Sequence, residues 1–213
     1  MNAPVRPATA ARIGWTLAAA TTAPVVLIAG WTVAAARQPG RFSAVRQTIS
    51  ALAARGAADR WIMTSCLAVL GACYLLTAAG LAPARPAGRV LLAVGGLATS
   101  LVAAFPQPAH GGSLPHAIFA AIGFGCLASW PVLASTAAAG WALRPATGRL
   151  VSAVLLMLLV LFAATLNSAV VGLTERLLAA AEALWLPVVV AVSGRFGTAS
   201  DCPAGAGCDR PAV

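Results

Sequence analysis

The sequence predicts an all-α protein: a polytopic transmembrane bundle of six helices, with a short interfacial helix in the first outer connection. Three observations predict it. Of the 213 residues, 60% are hydrophobic and 9% charged, where a soluble domain carries about 25% charged residues. The apolar residues gather into six continuous runs, each near the ~20 residues that cross a bilayer as a helix. None of the runs shows the period-two alternation of a membrane barrel, and backbone groups in hydrocarbon must be satisfied within each segment. The same composition excludes collagen, coiled coil, disorder and a zinc-finger scaffold.

Residues 1–12 read as a short cytoplasmic segment carrying Arg6 and Arg12. The first span, residues 13–36, is interrupted only by Pro24. Basic residues precede it and Val33-Ala34-Ala35-Ala36 resembles a cleavage site. Its length exceeds the about 7–15 residues of a signal core, so it is expected to be retained. The connection 37–60 holds Arg37, Arg41, Arg46, Arg55, Asp59 and Arg60. Within it, Val45, Ile49 and Leu52 recur at helical spacing while Arg46, Gln47 and Ser50 fall on other faces, which predicts an amphipathic helix over 45–54 lying on the membrane.

The second span is 61–81. A tight turn with Pro83, Arg85, Pro86 and Arg89 leads to the third, 88–105, where Gly95-Gly96 and Thr99-Ser100 allow close backbone approach. An uncharged loop, 106–113, precedes the fourth span, 114–137, which has Pro115 in its first turn and Pro131 as a kink site. Arg144, Pro145 and Arg149 mark the next turn. The fifth span is 150–171 and the sixth 173–194, leaving 195–213 as a flexible tail. Cys66, Cys73 and Cys126 lie in apolar runs as small packing residues. Cys202 and Cys208 sit in the tail, where a disulfide, a metal contact with further ligands and no role at all stay open.

All fourteen basic residues are arginine, against five acids, for a net charge of +9. They are scattered in ones and twos between apolar runs, with no nucleic-acid-binding module, so membrane lipid rather than nucleic acid is the expected partner. Six spans put both termini on one side. That side collects Arg6, Arg12, Arg85, Arg89, Arg144, Arg149, Arg195 and Arg210; the other collects Arg37, Arg41, Arg46, Arg55, Arg60 and Arg176. Eight against six favours cytoplasmic termini by the positive-inside rule.

On this topology the outer side receives Asp59, Arg60, His110, His116, Glu175 and Arg176. Glu182 lies seven residues beyond Glu175, on a similar helix face and roughly 10 Å deeper. An ionisable group at that depth points inward, towards a partner or cavity. Asn167 is placed to hydrogen-bond to it, and Arg176 to pair with it near the mouth. The expectation is an outward polar pocket formed by His116, Asn167, Glu175, Arg176 and Glu182, with Asp59, Arg60 and His110 above, for a lipid headgroup or small polar ligand; the competing reading of the same groups is helix-end caps and internal pairing, with Glu175 stabilising the first turn of the sixth helix through its dipole. The alternative is a headgroup enzyme, with His116 as general base beside Glu175 or Glu182. A structural or regulatory subunit packing on a membrane-protein partner is the third reading. His110, His116, Asp59 and Glu175 would make a ligand number but not a metal motif, and no nucleotide fingerprint is present; no metal or cofactor is predicted.

Thr48-Ile49-Ser50-Ala51-Leu52-Ala53-Ala54 with Asp59-Arg60, then His110-Gly111 with His116, then Gly172-Leu173-Thr174-Glu175-Arg176 form an ordered set. In these motifs the chain, over residues 12–195, resembles the domain-of-unknown-function 998 family of prokaryotic integral membrane proteins, and more distantly the Frag/DRAM/Sfk six-span group. Ala51 stands where the family often has an acid and Ala53 where it often has glycine. The resemblance implies a prokaryotic plasma membrane, outward placement of the three motifs and, through the distant group, a role in lipid or membrane homeostasis.

Overall fold

The computed structural model describes residues 7–40, 42–137 and 140–197, with side chains from 11 to 193. They form helices α1 (Pro7–Ala36), α2 (Ile49–Leu52), α3 (Trp61–Gly80), α4 (Pro86–Ala104), α5 (Leu114–Ala134), α6 (Pro145–Ala164) and α7 (Val171–Gly197), with a 3₁₀ turn at Trp141–Leu143. All but α2 contain a stretch long and apolar enough to cross a membrane. No strand occurs among the described residues. The expected tail began at 195, but α7 carries on to Gly197; residues 198–213, with Cys202 and Cys208, lie outside the described residues, as do Arg6 and Arg41.

Helix starts follow local chemistry. Pro86 and Pro145 open α4 and α6, where a missing N–H costs nothing. Ser113 caps α5 by accepting from the His116 N–H at 3.4 Å. Within α5, Pro131 is accommodated by a neighbouring helix: the Val132 N–H donates to Ser152 Oγ of α6 at 3.1 Å.

The six long helices pack as a closed ring in which α1 touches α3, α3 touches α4, and so on through α5 and α6 to α7, which returns to α1. Small residues let this ring close. A Cβ on Gly71 of α3 would strike the Gly96 carbonyl and Ser100 of α4, and one on Gly96 would lie 2.8 Å from the Gly71 carbonyl. With hydrocarbon outside, such close packing rather than hydrophobic exclusion holds helices together. Inside lie Trp130, Tyr74, Leu92, Met63 and Leu186. The outward surface is apolar, most of all on α6, where Leu150, Met157 and Val160 are each more than 60% exposed. That is the pattern of a face that meets lipid.

Several elements differ from their expected extents: α1 already begins at Pro7, α5 ends at Ala134 and α7 reaches Gly197, and two differences bear on the site. The helix in the first connection is one turn, not ten residues. Its Ile49 and Leu52 are buried in the bundle while Val45 is exposed, because residues 44–49 are bonded to α7 as described below. The fifth span ends at Ala164 rather than Val171. Thr165 stops it: its N–H donates to the Leu161 and Phe162 carbonyls, and its hydroxyl bonds Thr174 of α7 at 2.7 Å.

Candidate functional site

The first turn of α7 holds the connection that carries α2. Gly172 makes the approach possible, since a Cβ there would collide with the carbonyls of Ala44 and Gln47. The Leu173 N–H donates to the Val45 carbonyl at 3.1 Å. Arg176 directs one guanidinium nitrogen, Nη1, to the carbonyls of Ala44 (2.8 Å), Gln47 (2.7 Å) and Gly172 (2.9 Å), and its planar head lies 5.8 Å from the rings of both Trp31 and Phe42. Glu175, 3% exposed, accepts from the Ile49 N–H and, at 3.4 Å, from the Ser50 hydroxyl. Thr48 caps the same turn from its own chain, accepting from the Ala51 N–H. One carboxylate and one guanidinium thus satisfy the backbone of a segment too short to satisfy itself.

Beneath α2 is a cavity walled by α1, α3, α4, α5 and α7. About 60 Å³ of it is available to the centres of water molecules, several times the ~10–15 Å³ that one water needs. Ile49 and Ser50 roof it; Leu27, Leu67, Leu70, Leu127, Phe119 and Phe124 supply apolar walls. Its polar lining is Ser50, Tyr74, Thr99, Glu175 and Glu182. Thr99 donates to the Gly95 carbonyl of its own helix at 2.9 Å. Glu182 is 2% exposed and its Oε1 is buried with no hydrogen-bond partner.

Of the residues expected to form a pocket, Glu175 and Glu182 line this cavity together and the others do not. His116 is buried, but its Nδ1 is 3.0 Å from the Phe105 carbonyl, tying the start of α5 to the end of α4. Asn167 is exposed in the α6–α7 turn, because α6 ends before reaching it, and it does not bond Glu182. His110 is exposed on the 106–113 loop. Asp59, in a left-handed conformation (φ 46°), pairs at 3.8 Å with Arg37. The Arg60 Nε donates to the Ala53 carbonyl at 3.4 Å. Arg176 serves the loop and is not part of the lining. Among the described residues no three His, Cys, Asp or Glu side chains converge as a metal-binding group. Sequence reasoning missed Tyr74 and Thr99. Tyr74 carried a signal, being the chain's one tyrosine, set in the middle of an apolar run.

The profile of the family described as protein of unknown function (DUF998) matches residues 21–192. The chain belongs to the DUF998 family. No curated protein and no solved structure matches it. In this DUF998 protein, the matched region runs from within α1 to within α7 and takes in every residue lining the cavity.

Proposed function

We propose that this DUF998 protein resides in the prokaryotic plasma membrane with both termini in the cytoplasm, and binds or moves a lipid or small polar ligand through the cavity beneath α2. The observation that carries this reading is Glu182: a carboxyl group buried among apolar walls, with an unpartnered oxygen, beside a space large enough for a guest. An isolated polar group in such a place is costly, and a ligand bearing hydrogen-bond donors offsets that cost. Charge asymmetry among the connections supports placing the α2 end outside. The enzyme alternative has less support, since His116 is engaged with Phe105 and is not among the residues that line the cavity with Glu175 and Glu182.

The test is to purify the parent and Glu182→Gln in mild detergent, confirm that both are folded by thermal unfolding, and identify co-purifying small molecules by mass spectrometry. A discrete species retained by the parent and depleted in the variant is expected. Identical contents in two folded proteins overturn the assignment of the cavity as the site.

A further inference from the structure

The cavity's lining contains two carboxyl groups and the hydroxyls of Ser50, Tyr74 and Thr99, but no arginine or histidine. In a chain with fourteen arginines and five acids, that is a reversal of the overall charge. The nearest guanidinium in sequence, Arg176, is turned to the carbonyls of the first connection. Glu175 already has donors in Ile49 and Ser50. Glu182 has an oxygen with none. A phosphate or carboxylate entering this space would meet two carboxyl groups and no basic group, with only hydroxyls as donors. An ammonium would meet a carboxyl oxygen in need of a donor, and the rings of Tyr74, Phe119 and Phe124, whose faces attract cations. The leucine walls suit the hydrocarbon attached to it.

Resting on the ligand-binding reading above, we propose that the ligand is an amphiphile with a single positively charged amine head and no phosphate, its ammonium donating to Glu182 and its apolar part lying against the leucine and phenylalanine walls. The shared chemistry covers a membrane aminolipid lacking phosphate and a free alkylamine.

The experiment uses the full chain in nanodiscs of neutral phosphatidylcholine, titrated calorimetrically with octylamine, octanol and octyl phosphate against empty nanodiscs. Octylamine is expected to bind at least about tenfold more tightly than octanol, with octyl phosphate weakest. Glu182→Gln is expected to bring octylamine down to the level of octanol, and Glu182→Asp to restore part of the difference. The comparison of the three probes on the parent stands even if a variant does not fold. Equal binding of octylamine and octanol, or preferred binding of octyl phosphate, overturns the cationic assignment while leaving the cavity as a binding site. Failure of all three probes, together with an absence of co-purifying ligand, overturns both. Lipid extracted from the parent separates the sources: a phosphate-free aminolipid supports the membrane source, and octylamine binding without such a lipid supports the free amine.

Discussion

Glu175 and Arg176 are adjacent, yet they serve one loop in different ways. The carboxylate takes donors at the start of α2, and the guanidinium takes the carbonyls just before it. Arg176→Lys is expected to lower stability by about 1–3 kcal/mol, because one ammonium cannot reproduce both the three-carbonyl grip and the contact with Trp31 and Phe42; thermal unfolding in detergent measures it. Glu175→Ala strips the Ile49 N–H and Ser50 hydroxyl of their acceptor, and a loss of similar size is expected, accompanied by faster proteolysis between Arg37 and Arg60. At this scale the sequence was partly legible. The depth of Glu182 followed from its position in an apolar run, and its partnership with Glu175 from seven-residue spacing. The roles of His116 and Asn167 were not legible, because they depend on where Phe105 and Thr165 end their helices. Those ends are decided by hydrogen bonds to other elements.

Among the helices, α3 and α4 show how little room the packing leaves. Gly71→Val is expected to push their backbones apart, at a cost of about 1–3 kcal/mol from overpacking, seen as a lower unfolding temperature. Met157→Leu on the exposed face of α6 is expected to stay within about ±0.5 kcal/mol, and the same assay compares the two. The small-residue pattern of Gly95-Gly96 announced a close approach before any partner was known, although the sequence did not say that Gly71 would be opposite. Element lengths were less legible. Hydropathy does not distinguish apolar helix from apolar turn, so Leu166, Val170 and Val171 extended the fifth span on paper. In the chain they belong to a turn and to the start of α7. Periodicity likewise proposed a ten-residue amphipathic helix in the first connection, where bonding to α7 leaves one turn.

For the whole molecule, the six-span bundle was the most legible feature, because composition and run length report directly on the solvent that a chain must meet. Orientation rests on the arginine asymmetry, and is tested by reporter fusions in the full chain: activity of a periplasmic reporter is expected after Arg60, and of a cytoplasmic reporter within the turn at Arg85. The opposite pattern reverses the side on which the cavity opens.

The bond between Ile49 and Glu175 joins residues 126 positions apart. At about 5–20 residues per second, the ribosome takes roughly 6–25 s to supply the second partner after the first. Throughout that interval the nascent chain has a roofless chamber and an open wall. Delivery of α7 therefore completes both at once, and a chain halted before Gly172 should present its open wall to membrane proteases.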